Sequence, residues 1–285
     1  MTVKNDASLR GKSKALAQKY GLSAQEVTQM YLFERFLARL STSDHKENFV
    51  IKGGFLIASQ LGVANRTTMD LDTTLRAMKL DEETVAKTVG EICAMDCDDD
   101  VVFFFEYAEP IRDDDDYGGY RAHIRAHFGR MDTPMKIDIT TGDIITPAPV
   151  MRSFPMIFDE DTIDALSYPD ETNLAEKFEA VVKRGVTTSR ARDLYDAAML
   201  LRLYREIIDW EQAAIAIRDT SKHRGTWALM TSYETVCDEM AESEEVKSMW
   251  GNYVRSHVYA QSVTLEEALD AIREIGRRCL DGLQR

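Results

Sequence analysis

The sequence predicts an α/β (α+β) fold: a mixed sheet with flanking helices, followed by a C-terminal helical bundle. Three observations predict it. Strand-like and helical runs interleave up to about residue 158, and beyond that the texture is helical alone. Two of the strand-like runs carry acids on one face. A Gly-Gly pair joins a strand to a helix just ahead of the first acidic run. We expect residues 1–165 to form a helical lead-in plus the sheet domain, and residues 166–285 a helical domain. At 285 residues and 44% hydrophobic, the chain is ample for buried cores in one large domain or two small ones.

The elements follow in order. LRGKSKALAQKYG ends at Gly21, a natural helix stop. Ser23 opens SAQE, a capping-box pattern, and a long amphipathic run follows. FVIK before Gly53 and Gly54 reads as a short strand, and FLIASQLG after them as a compact helix. MDLDTTL reads as a strand, with Met69 and Leu71 pointing into the core. LDEETVAKTVGEICAM is acidic at its start and periodic, hence a helix. VVFFFEYAEPI is a β-rich run whose aromatics are expected in the core, and Asp113 to Asp116 form a loop. YRAHIRAHFG alternates: Ala122, Ile124, Ala126 and Phe128 on one face, Arg121, His123, Arg125 and His127 on the other. PMKIDITTGD is a further strand, and RSFPMIF the last. No strand is expected after about residue 158. The C-terminal runs, among them LAEKFEAVVKRG and SRARDLYDAAML, read as helices, with Trp227 and Trp250 in bundle packing.

The bulk numbers exclude some functions. A net charge of −14 and a pI of about 4.9 rule out a global basic footprint for nucleic acid and disfavour an anionic membrane surface. Cys93, Cys97, Cys237 and Cys279 lack the paired spacing of a zinc site and read as reduced thiols. No apolar run reaches membrane-spanning length and no signal segment opens the chain, so a cytoplasmic location is expected.

Asp70 and Asp72 sit two apart, so in a strand both point to one face. Two carboxylates this close repel unless a cation lies between them, and a hard divalent ion such as Mg²⁺ is the usual answer. Asp138, on the polar face of KIDI, joins them if the two strands are neighbours. Gly53 and Gly54 supply a phosphate-friendly strand-to-helix turn. A phosphate cradle beside metal carboxylates suits nucleotidyl or phosphoryl transfer.

The ordered set FVIKGG, RTTMDLD, KIDI, LAEKFEAVVKRG and RDLYDAAML resembles the AbiEii-type, MenT-like nucleotidyltransferase toxins of the polymerase-β-like superfamily. The resemblance covers about residues 30 to 205. One departure is Gly-Gly where the superfamily's older signature has Gly-Ser; Gly-Gly is the pattern of this toxin branch. The resemblance implies a minimal nucleotidyltransferase sheet and the following roles. Asp70, Asp72 and Asp138 bind Mg²⁺ or Mn²⁺, and Asp138 also helps deprotonate the attacking hydroxyl. Gly53, Gly54, Arg66, Thr68 and Lys177 bind the NTP. Lys177 and Asp193 complete the catalytic set. It further implies a cognate antitoxin, a part in phage defence, and an RNA acceptor, with the tRNA 3′ end foremost, whose modification blocks translation and growth. Lys183, Arg184, Arg190, Arg192 and Lys222 to Arg224 are the expected local basic patch.

Read from the residues alone, Lys177 or Arg184 with Asp193 or Asp196 makes an ion-pair network on a helix surface. His123, His127, Arg121 and Arg125 make a solvated strand face that either stays bare or meets RNA or the antitoxin. The other functional readings are nucleotidylation or phosphorylation of a protein, and an inactive nucleotide- or partner-binding module.

Overall fold

The computed structural model of the chain describes residues 3–111 and 118–281. The Asp113 to Asp116 run and Arg285 lie outside the described residues. The chain divides into two compact units, Met1–Asp143 with Val150–Ser167, and Ile144–Pro149 with Tyr168–Arg285.

The first unit opens with two helices. α1 (Asp6–Tyr20) is capped by Asn5, which accepts from the Ser8 amide, and ends at Gly21 in the left-handed region (φ 67°). α2 (Ala24–Thr42) begins with the full capping box between Ser23 and Glu26. Next come β1 (Phe49–Lys52), α3 (Gly53–Leu61), β2 (Leu71–Leu75) and α4 (Glu82–Cys93). Five strands follow: β3 (Val101–Ile111), β4 (Gly119–Phe128), β5 (Met131–Thr140), β6 (Val150–Pro155) and β7 (Thr162–Ser167).

All seven strands form one mixed sheet in the order β3-β4-β5-β2-β1-β7-β6. β2 lies antiparallel to β1 and parallel to β5. Alternation explains the two faces. Ala122, Ile124, Ala126 and Phe128 of β4 are buried, as are Met135, Ile137 and Ile139 of β5. α4 packs on β3 and β4, and Phe36 of α2 meets Phe103 edge-on at 5.9 Å between ring centroids. Each fully buried Ile or Leu in that layer contributes roughly 1.5–3 kcal/mol.

The structure corrects three expectations. TIDALS is a strand, β7, although nothing strand-like was expected after about residue 158; Ile163, Ala165 and Ser167 face inward, but the run has a single β-branched apolar residue. The VVFFFEY aromatics divide: Phe103 is buried, while Phe104 and Tyr107 are about half exposed, because alternation sends Phe104 to the other face and a register shift between Phe105 and Tyr107 sends Tyr107 there too. Met69 is also exposed, since β2 begins only at Leu71.

The second unit is helical: α5 (Asp170–Arg184), α6 (Ala191–Tyr204), α7 (Trp210–His223), α8 (Trp227–Met230), α9 (Tyr233–Glu242), α10 (Glu244–Ser256) and α11 (Leu265–Leu280). α5 packs on α7, and α6 on α11. Tyr195, Tyr253 and Tyr259 cluster in its core, next to buried Trp250. Arg224, one of the expected basic-patch residues, is instead bonded to Glu176 (2.6 Å) and Glu179 (2.8 Å), tying the end of α7 to α5. The four cysteines are free thiols, and burial pushes Cys93, Cys237 and Cys279 up to about 12. Among the described residues, no helix is long and apolar enough to cross a membrane.

Glu34 on α2 is buried, with Oε1 accepting from the Ile157 amide at 2.7 Å and Oε2 unpartnered among the described residues. Burial pushes its carboxyl up to about 8, against the opposing pull of the Ile157 amide and Arg35. The carboxyl therefore stays protonated in the fold but ionises near 4.5 when unfolded. Its contribution to stability is complete below about 4.5 and is lost as pH rises to about 8. Glu34→Gln keeps the acceptor and removes the charge. Urea melts should show it equal to the parent at pH 4 and more stable by a few kcal/mol at pH 8. A difference that does not change with pH would refute the buried acid.

Candidate active site

Strand register sets five charged side chains in one transverse row on one sheet face. Lys52 of β1 faces Asp72 of β2, Asp72 faces Asp138 of β5, Asp138 faces Arg121 of β4, and Arg121 faces Glu109 of β3. Within that row the Asp72–Asp138 step is the one between like charges at adjacent strands, an arrangement that destabilises a sheet unless compensated. A cation stands on each side. Arg121 holds both Asp138 oxygens, Nε to Oδ1 at 2.7 Å and Nη2 to Oδ2 at 2.7 Å. Lys52 donates to Thr140 Oγ1 (2.7 Å) and Asp143 Oδ2 (2.8 Å), two groups at the end of β5 and just beyond it. Lys52 and the hydroxyls of Thr140 and Thr74 hold Asp143 near 2 despite its burial.

Asp72 carries the strain of the row. Burial, then the facing Asp138 and the nearby Asp70, push its carboxyl above the ordinary range; Lys52 and the Gly54 amide pull the other way. Its Oδ2 accepts from Gly54 N at 3.2 Å. Asp70 lies one residue before β2, partly exposed, with its amide on Thr68 Oγ1 at 3.3 Å.

The Gly-Gly pair is dictated by this carboxylate. Gly53 sits at φ +63°, and a Cβ there would lie 2.3 Å from Asp72 Oδ2. A Cβ on Gly54 would lie 2.8 Å from Thr68 Oγ1 and 3.3 Å from an Arg66 guanidinium nitrogen. Arg66 and Thr68 are both buried and brace the turn from inside, Arg66 also bonding the Thr67 carbonyl. The N-cap of α3 is Lys52, whose side chain does not cap, so its first amides are left for an outside acceptor apart from the Asp72 contact.

Asp70 and Asp72 offer the hard oxygen donors that a Mg²⁺-like ion takes; burial is the main upward push on Asp72, and the further push from Asp138 and Asp70 is the repulsion such an ion would relieve. Asp138 lies opposite, but both its oxygens are engaged by Arg121. Among the described residues, no three acidic, His or Cys side chains form a ready ligand set.

Lys177 and Asp193 belong to the second unit. Lys177 Nζ lies 2.7 Å from Asp193 Oδ1 and 3.0 Å from Asp196 Oδ2, and Arg190 Nε lies 2.9 Å from Asp193 Oδ2. Asp193 and Asp196 are buried, so this network is interior to the unit rather than on a helix surface. Sequence reasoning missed Lys52 and Arg121 as members of the acidic row. Both lie on outward strand positions, and the alternation of each strand carried half of the signal; the strand order carried the other half.

The glycines make a paired test. Gly53→Ala, strained and clashing with Asp72, should lose roughly 2 kcal/mol or more of stability. Gly11→Ala, in the middle of α1 with open space at the Cβ position, should gain about 0.5–1 kcal/mol. Denaturant midpoints check both, and a neutral Gly53→Ala would refute the close approach.

Comparison with known proteins places this geometry. Two crystal structures share the architecture. One is a protein from H. pylori described as a candidate nucleotidyltransferase, 17% identical over 92% of this chain and 98% of its own, with a TM-score of 0.51. The other is JHP933 from Helicobacter pylori, 17% identical over 92% of this chain and 95% of its own, also at 0.51. At that identity the likeness is one of fold. No curated protein sequence matches. The family model described as "Nucleotidyl transferase AbiEii toxin, Type IV TA system" matches residues 35–274, which hold the Gly-Gly turn, the acidic row and the Lys177 network. The chain belongs to the AbiEii nucleotidyltransferase toxin family of type IV toxin–antitoxin systems.

Proposed function

We propose that this nucleotidyltransferase moves a nucleoside monophosphate from an NTP to an RNA acceptor, the tRNA 3′ end foremost, and so blocks translation and growth in the cytoplasm until its cognate antitoxin counters it. The observation that carries the chemistry is the register that sets Asp72 opposite Asp138, with the Gly-Gly turn in contact with Asp72 itself.

The amides at the start of α3 would receive the triphosphate, and Gly53 and Gly54 let it approach the backbone. Arg66 and Thr68 hold that turn in shape. Asp70 and Asp72, joined by Asp138 once Arg121 releases it, would hold the divalent ion, Mg²⁺ or Mn²⁺, which supplies charge neutralisation at the phosphates. Asp138 would accept the proton of the acceptor hydroxyl. The hydroxyl oxygen bonds to the α-phosphorus, the bond from that phosphorus to the bridging oxygen breaks, and pyrophosphate departs with the electron pair. Lys177, with Asp193 fixing its position, is proposed as a point charge for the triphosphate. A part in phage defence follows from the toxin reading.

The test is a transfer assay with Mg²⁺ or Mn²⁺, total tRNA, a soluble protein extract and each α-labelled NTP in turn. Label should appear on RNA with one preferred NTP. Asp70→Ala and Asp72→Ala should lower it on the order of 10²-fold or more. Label on protein instead moves the acceptor to a protein side chain. Transfer from γ-labelled but not α-labelled NTP makes the reaction a phosphorylation. NTP binding without any product defines an inactive binding module.

A further inference from the structure

The face that holds the acidic row continues toward β3 and changes character there. Val102, Phe104 and Tyr107 of β3 point outward and are about half exposed (50%, 48% and 51%). β3 is the edge of the sheet, and its opposite face carries the buried residues Val101 and Phe103. A bulge between Phe105 and Tyr107 shifts the register, and so brings Tyr107 onto the same outward face as Phe104. Three large apolar side chains in line on an open sheet face exceed the scattered exposure that any surface shows.

Those rings are ordered by their neighbours. Tyr107 stacks on His123 of β4, with ring centroids 4.2 Å apart and planes at 12°. Phe104 meets His127 edge-on at 4.9 Å. His123 is fixed from its other side by Glu109 at 2.8 Å. One rung along from Asp138, Lys136 of β5 is exposed and has no ion-pair partner among the described residues. From β3 to β5 the face therefore runs from ring planes, through the basic strand β4, to the carboxylate row. At about 4.8 Å per strand and about 3.4 Å per residue, Tyr107 lies on the order of 12 Å from Asp138, within reach of a short single strand.

We propose that this face is the platform for the single-stranded end of the nucleic-acid acceptor, with bases stacked on Tyr107 and Phe104 and the terminal hydroxyl delivered to Asp138. It rests on the RNA-acceptor reading above. The local charge balance admits this occupant where the rest of the chain repels it. The chain carries a net charge of −14, which repels a polyanion. On this face β4 supplies Arg121, His123, Arg125 and His127, and Lys136 adds a cation beside them. Glu106, Glu109 and Asp132 pair with the basic strand, so it is held in place and close to neutral. A neutral face with open rings selects unpaired bases over duplex backbone, because every base presents a ring to stack and a duplex hides them.

The full-length protein is titrated with a fluorescein-labelled single-stranded RNA dodecamer and with the same RNA as a duplex. The single strand should bind more tightly than the duplex. Phe104→Ser with Tyr107→Ser should weaken it about tenfold or more. Tyr107→Phe should keep the affinity, and Asp70→Ala should bind like the parent while its transfer falls on the order of 10²-fold or more. The positions are exposed, and matched melting temperatures exclude a folding defect. Unchanged affinity in the double variant, or equal binding of duplex, overturns the proposal. A concentration-dependent dimer that the double variant abolishes also overturns it and makes the face a contact between copies. If the parent labels RNA while the double variant binds normally, the platform alone fails. If the parent neither labels RNA nor binds the dodecamer, the acceptor reading fails and takes the platform with it.

Discussion

Asp72 and Asp138 oppose each other across a parallel strand pair, and 65 residues of chain separate them. A parallel pairing cannot be closed by a hairpin, so the connection must leave the sheet or cross it. Here it runs through α4 and the β3–β4 hairpin, and β5 then enters beside β2. Long-range closure of this kind is entropically costly and slow, and the apolar layer under β4 and β5 offsets it. The same pairing that completes the core sets the two carboxylates side by side. Lys52 and Arg121 flank them because repulsion at that step would otherwise work against the pairing itself. Gly53 and Gly54 have a related origin, since the turn after β1 runs so close to Asp72 and Thr68 that side chains would not fit.

Features with a local cause were legible in the sequence. Asp70 and Asp72 share a face because of strand geometry alone, and the Ser23–Glu26 box and the Gly21 stop depend on neighbours within one turn. The presence of a mixed sheet followed by helices followed from period and composition. What was not legible depended on register. Arg121 reads as one basic residue among four until β4 is laid against β5, and only then does it fall opposite Asp138. Phe104 and Tyr107 were expected in the core because the run is aromatic, yet an edge strand covered on one side exposes its other face, which Phe104 reaches by alternation and Tyr107 by the bulge. β7 was missed because its place, between β1 and β6, is earned by two pairing partners rather than by its own residues.

The second unit follows another logic. Lys177 is enclosed by Asp193 and Asp196, with Arg190 closing the outer side. Taking such charges out of water costs several kcal/mol each, and removal of one partner strands the others. A well-packed apolar cluster would serve stability as well or better, and under the proposed function the network holds its charge for the triphosphate. The same reasoning applies to Asp72, whose raised carboxyl is a local instability placed beside a glycine turn.

Arg121 links these two considerations. While it grips both oxygens of Asp138, that carboxylate is compensated in the absence of any bound cation. Under the proposed function, a divalent ion bound with the nucleotide would take the place of Arg121 at Asp138, and the guanidinium, about a third exposed, would then serve a phosphate on the open face. Asp138 would exchange one cation for another without being left unscreened. A carboxylate that is compensated both before and after a nucleotide binds, as Asp138 would be, escapes the usual penalty of an active site, in which the groups that stabilise the reacting state burden the resting fold. Here the resting fold draws its compensation from strand register, so the same β2–β5–β4 alignment that builds the sheet also keeps its acids ready.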